Sequence, residues 1–162
     1  MTMPPANSCE LKLTELSELL AARELSSLEI VKAALKRLEL CESQLNAFIT
    51  VLGDQALAEA RKADDEIARG LYRGPLHGVP VTIKDMFETA CVLTSGGSKI
   101  LADWVPETDA ALVQRLRTAG AIIIGKTNLD EFGHGGTSTL SPVFGLRPTR
   151  WPLSRRMKLP KP

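Results

Sequence analysis

GPLHGVPVTIKD, residues 74–85, is the stretch on which the reading of this chain turns. Val79, Val81 and Ile83 alternate with Pro80 and Thr82, which is the period-two, β-branched pattern of a strand, and Pro75 and Gly78 punctuate its start. The run delivers Lys84, with Asp85 behind it, to what reads as the carboxyl end of a buried strand. In open α/β sheets that end is where ligands bind. A desolvated lysine there can lose its proton near neutral pH and serve as a base. A solvated Lys-Asp turn fits the same residues, since lysines are rarely buried.

Downstream, DAALVQRLRTAGAIIIGKTN at 109–128 predicts a helix capped by Asp109 and closed by Gly120, then a continuous apolar strand over 121–124. Strand, helix and strand in that order make a βαβ return and an α/β fold class. The string GAIIIGKT at 120–127 also matches the phosphate-loop pattern, and we reject that reading. A phosphate loop follows its strand and offers backbone amides from a turn, whereas Ala-Ile-Ile-Ile must itself be the strand. Lys126 and Thr127 are then expected in a turn just past the strand end.

Upstream, LTELSELLAAREL places leucines at 13, 16, 19, 20 and 25 along one helix face, with Thr14 positioned as a cap. A second helix starts at Ser26 and Glu29, which have capping-box spacing, and its apolar stripe is expected to run through Leu28, Val31, Leu35, Leu38 and Leu40. NAFITVL at 46–52 favours strand, and the alanine-rich segment 54–69, with Gly70 just beyond it, favours an amphipathic helix with a C-cap. The loop-rich stretch 87–109 has room for a helical turn at 98–102, and residues 128–133 are expected to begin another helix. No internal repeat is visible.

With 44% hydrophobic and 24% charged residues, 162 residues make an ordinary soluble composition of one domain. No apolar run approaches the ~18 residues needed to span a bilayer. The first residues lack the basic and apolar regions of a signal peptide, so the expectation is a cytoplasmic protein without membrane contact. Cys9, Cys41 and Cys91 are widely spaced, and only two histidines accompany them, so neither a disulfide framework nor a metal site is suggested, and no cofactor is expected. The net charge of +1 conceals an asymmetry. All six basic residues after Gly145 lie in LRPTRWPLSRRMKLPKP, which holds four prolines and no acid, leaving residues 1–145 at −5. The expected division is therefore a body at 10–145 and a disordered basic tail at 146–162. Nucleic-acid binding is not expected of so short a tail.

The loop GHGGTS at 133–138 can offer backbone amides to an anion or a substrate carbonyl, with Gly135, Gly136 and Thr137 as candidate substrate-binding residues. His77 and His134 fit turn-holding roles better than catalysis, because neither has a visible nucleophile beside it.

GPLHGVPVTIKD at 74–85, SGGSKIL at 95–101, DAALVQRLRTAGAIIIGKTN at 109–128 and EFGHGGTS at 131–138 together resemble the amidase signature family in order and spacing. The resemblance reaches back through LNAFITV and covers roughly residues 10–145. It implies the N-terminal part of an α/β fold with a mixed central sheet flanked by helices, incomplete in this chain. It also implies amide-bond hydrolysis or amide transfer by a Ser, cis-Ser, Lys triad acting on a small-molecule amide. Lys84 would be the base that draws a proton through the cis-serine from the nucleophilic serine, with Asp85 as a structural partner.

The chain then departs from the family's pattern. The family continues into a Gly-Ser-rich segment of the type GGSSGGS that carries both serines, and this chain instead reads Phe144-Gly145 and the basic tail. Ser95 and Ser98 do not substitute, since no base pairs with them. The break resembles an out-of-frame or misjoined gene end. The expectation is an N-terminal fragment, inactive as written. The alternatives are a noncatalytic interaction module and a partial subunit whose protein partner completes the sheet.

Overall fold

The computed structural model describes residues 5–135. After a 3₁₀ turn, its elements run α1 (Leu13–Ala21), α2 (Ser27–Leu45), β1 (Phe48–Val51), α3 (Gly53–Ala68), β2 (Pro80–Lys84), α4 (Ala111–Thr118) and β3 (Ile122–Thr127). β2 and β3 are parallel with α4 between them in sequence, so the expected βαβ return is formed. β1 pairs antiparallel on the other side of β3, giving the order β1-β3-β2 and a mixed sheet.

β3 is central and buried on both faces. Ile122 and Ile124 pack on Val31 of α2 and on Ala56, Ala60 and Ala63 of α3. Ile123 packs against Ile83 and Val113 on the face that α4 covers. The alanines recur at helical spacing, so α3 can lie close to the sheet. Each isoleucine so buried contributes about 2–3 kcal/mol. A third cluster joins Leu16 and Leu20 of α1 to Ile30, Ile67 and Val79, which fastens the first helix over the start of β2.

The β2–β3 ladder is irregular. Val81 pairs with Ile123 but Thr82 pairs with Gly125, which leaves Ile124 as an extra residue on β3. Glycine at 125 is required by β1: a Cβ there would fall 2.5 Å from the Thr50 carbonyl oxygen and 2.8 Å from the Phe48 ring. β3 therefore runs on through Lys126 and Thr127, and the turn expected at those residues is not formed. With GKT in the strand, no phosphate loop forms there.

Several ends differ from expectation. α1 begins after Lys12, whose N–H donates to the Glu15 carboxylate (2.6 Å), and Thr14 lies inside the first turn rather than at its cap. The helix stops at Ala21, and Arg23 takes a left-handed φ of 58°. Asp109 does not cap α4, whose N-cap is Ala110; the Asp109 carboxylate instead accepts from the Ala90 N–H (2.7 Å) and pairs with Arg117 (3.0 Å). At 128–133 only a 3₁₀ turn over Glu131–Gly133 forms. The Ser26–Glu29 capping box is present. The start of α2 is also held from afar: Asp64 of α3 accepts from the Ser27 (2.6 Å) and Leu28 (3.0 Å) N–H groups.

The start of β2 is clamped to the end of α4. The Gly78 N–H donates to the Gly120 carbonyl (2.9 Å), and Ser27 Oγ donates to the Gly78 carbonyl (2.6 Å). Gly120 has φ +85°, and a Cβ there would sit 2.5 Å from His77 Cδ2. His77 is fully buried. Its Nδ1 accepts from the Arg73 N–H (3.2 Å), so the ring proton sits on Nε2 and is donated to Glu66 (3.0 Å). Burial, and then the Arg73 charge, push the His77 pKa below the ordinary histidine range despite Glu66, which agrees with a neutral ring. Among the described residues no helix is long and apolar enough to cross a membrane.

Candidate active site

Because β2 and β3 are parallel, their carboxyl ends coincide. Lys84 lies in register with Thr127, and the Asp85 N–H donates to the Thr127 carbonyl (3.0 Å). The strand alternation buries Ile83 and Asp85 and leaves Lys84 exposed. The desolvated lysine expected at 84 is not seen. β2 is one of the two edge strands among the described residues.

What lies beside Lys84 is the glycine loop. A Cβ at Gly133 would be 3.4 Å from Lys84 Nζ and 3.3 Å from Met86 Sδ, so Gly133, with φ +71°, turns its open side toward the ammonium. Gly135 is likewise pressed on the Asp130 carboxylate, where any side chain would collide. Gly136 and Thr137 lie outside the described residues. His134 is exposed, and its N–H donates to the Glu131 carbonyl (3.0 Å).

Among the described residues the buried lysine is Lys126. It is wholly inaccessible, donates to Thr94 Oγ1 (2.6 Å) and the Phe87 carbonyl (3.0 Å), and pairs with Asp85 Oδ1 at 3.3 Å. Burial pulls its pKa below the ordinary lysine range, and Asp85 opposes that pull. The sequence carries a signal for it: a lysine inside the apolar run IIIGKT is as anomalous as one at the end of VPVTIK. Gly125, which has the look of a breaker, masks that signal by setting Lys126 in a turn.

Asp85 is equally buried. Its Oδ2 accepts from both the N–H (2.9 Å) and the Oγ–H (2.6 Å) of Ser95, and its backbone carbonyl accepts from the Gly96 N–H (3.2 Å). Ser95 Oγ in turn accepts from the Gly97 N–H (3.1 Å). The Phe132 N–H then donates to the Gly96 carbonyl (2.7 Å), and Ser98 Oγ to Glu131 (2.7 Å). Ser95 and Ser98 thus hold loops together.

Two cavities lie elsewhere. One of about 170 Å³ lies among Glu59, Glu66, Arg73, His77 and Arg117, around the start of β2, away from Lys84. An apolar one of about 380 Å³ lies between α1, α2 and β1, lined by Leu16, Ile30, Leu38, Cys41 and Phe48 among others. Among the described residues no group of three or more His, Cys, Asp or Glu side chains could hold a metal ion.

A lysine at the strand end, an aspartate turned inward behind it and a glycine loop against the ammonium can be compared with known proteins. Residues 29–158 match the family described as Amidase. The chain belongs to the amidase family. It is 48% identical over 145 residues to a glutamyl-tRNA(Gln) amidotransferase subunit of Geobacter sulfurreducens, covering 90% of this chain and 30% of that protein. Among solved structures it resembles the peptide amidase of Stenotrophomonas maltophilia, with TM-score 0.73 and 40% identity, over 80% of this chain and 26% of that one. It also resembles a fatty acid amide hydrolase, with TM-score 0.84 and 27% identity, over 91% and 26%. The chain thus spans about 30% of the length of such curated relatives. Its α/β architecture is a partial amidase fold, the N-terminal part, built on a small mixed sheet.

Proposed function

We propose that this chain supplies the lysine base of an amide-bond hydrolase or amidotransferase. The observation that carries the reading is Lys84, at the carboxyl end of β2 with the open side of Gly133 facing its Nζ. In the mechanism that the family resemblance implies, Lys84 accepts a proton through the cis-serine as the nucleophilic serine attacks an amide carbonyl. The resulting acyl-enzyme is then released to water or to another acceptor. The glycine loop, with Gly135, Gly136 and Thr137, would receive the substrate amide through backbone donors.

Residues 1–162 contain no GGSSGGS-like segment, so neither serine is at hand. A lysine serves as a base when it is desolvated, and Lys84 is exposed. Both facts support the same reading: this chain alone does not turn over amides, and the serine-bearing part of an amidase would supply both the nucleophile and the cover over Lys84. Purified chain assayed on simple amides beside Lys84→Ala is expected to show no difference; lysine-dependent turnover would overturn the claim of inactivity.

A second reading is a noncatalytic module that binds a protein partner. Exposed Met86, Trp104, Val105 and Phe132 favour it, as does the likeness to a protein whose name makes it one subunit of an assembly. A stable stoichiometric complex that is lost on deletion of 146–162 would select this reading over the first. A cytoplasmic setting belongs with either.

A further inference from the structure

The contacts around Lys84 close into a ring. Lys126 pairs with Asp85; Asp85 holds Ser95 by two hydrogen bonds and Gly96 by a third; Gly96 accepts from the Phe132 N–H; and Gly133 turns its open side to Lys84 Nζ, 3.4 Å from where a Cβ would stand. Lys84 and Asp85 are consecutive, so the ring begins and ends at the same strand terminus. Every group in its inner half, Lys126, Asp85, Thr94 and Ser95, is buried.

A buried ion pair is weak support for stability, because desolvating two charges consumes most of their attraction. It is better suited to specifying one geometry. Lys126 pairs with Oδ1 of Asp85, while Oδ2 accepts from both donors of Ser95. The turn at 95–97 is thereby fixed. Gly97 suits that turn, since at φ +69° any other residue is strained and a Cβ would stand 3.0 Å from the Leu129 carbonyl oxygen.

We propose that Lys126 is a positioning residue: through Asp85 it fixes the turn at 95–97, which holds Phe132 and Gly133 against the Lys84 ammonium. Its importance for catalysis rests on the reading of Lys84 as the base. The geometric claim stands apart from that reading and is tested without turnover.

The test is native-state hydrogen exchange on the full chain, with the lysine side chains labelled for NMR. The Ile122 N–H, which donates to the Val79 carbonyl (2.9 Å), serves as the reporter on the sheet. In Lys126→Met, exchange at Phe132 and Gly97 is expected to rise relative to Ile122 by roughly a hundred- to a thousandfold, the scale of losing one partner of a buried pair. The Lys84 Cε resonance is expected to move with it. Adding Asp85→Asn removes the stranded charge while keeping an oxygen for Ser95, and should restore Phe132 to within about tenfold of the parent. Ser95→Ala breaks the ring at a milder point and should speed Phe132 about tenfold. Equal loss at Ile122 and Phe132 in Lys126→Met, with no recovery in the double variant, would reduce Lys126 to a general structural role and overturn the proposal. If Lys126→Met does not fold, Ser95→Ala decides, and an unchanged Phe132 rate defeats the idea. Lys84→Ala should leave the exchange pattern in place, so a failure of the catalytic reading does not mimic a failure of this one.

Discussion

At the scale of single residues, the lysines at or next to the ends of β2 and β3, Lys84 and Lys126, face opposite surroundings, and their substitutions should differ accordingly. Lys84 is exposed, so Lys84→Ala is expected to change unfolding free energy by no more than about 0.5 kcal/mol in urea titrations. A larger loss would mean that Lys84 has structural work beyond the role proposed for it. His77 gives a pH signature. It is neutral and buried, with its pKa lowered first by burial and then by Arg73, so the unfolded chain binds more protons as pH falls. The stability this contributes is present above the ordinary histidine pKa of about 6.5 and is lost as pH falls through the folded value. The urea midpoint should therefore drop below about pH 6.5, and His77→Gln should flatten that part of the profile. Identical profiles for the two proteins would assign the pH dependence to other groups.

At the scale of elements, local signals were legible and distant ones were not. The Ser26–Glu29 capping box could be read because both partners lie within one turn. Ser26→Ala should cost about 1 kcal/mol, or a fall of roughly 2–4 °C in thermal midpoint for a chain of this size. Thr14→Ala should cost less than about 0.5 kcal/mol, because Thr14 is exposed within the first turn and caps nothing. Calorimetry on the two variants checks both, and a reversed order would contradict the observed start of α1. The Asp64 cap on α2 spans 36 residues in sequence, and nothing near Ser27 announces it. Asp109 shows the converse: its residue type and position suit a cap, but Ala90 and Arg117, brought up by the fold, take its carboxylate. The candidate site divides in the same way. The position of Lys84 at the end of β2 was legible in the strand pattern, whereas the buried Lys126–Asp85 pair depended on Gly125 being a point of close approach to Phe48 rather than a turn.

At the scale of the whole molecule, the loops that follow β2 and β3 carry several exposed apolar side chains. Ile100 is 77% exposed, Phe132 and Val105 49% each, Met86 44% and Trp104 37%, all from the loops that follow the two strands. Single exposed apolar side chains are ordinary on a monomer, but several from one pair of loops mark a surface that gains by being covered. Purified chain should therefore self-associate as its concentration rises. Ile100→Lys with Val105→Lys should weaken that association without a change in folded secondary structure, as read by sedimentation velocity and circular dichroism. Salt separates this cause from charge pairing between the acidic body and the basic tail. Association through apolar surface should persist or strengthen in sulfate, whereas pairing of opposite charges should fade once the screening length falls to a few ångströms. A wild-type chain that stays monodisperse and unfolds cooperatively at high concentration would show that these side chains need no partner, and would remove the main support for the interaction-module reading.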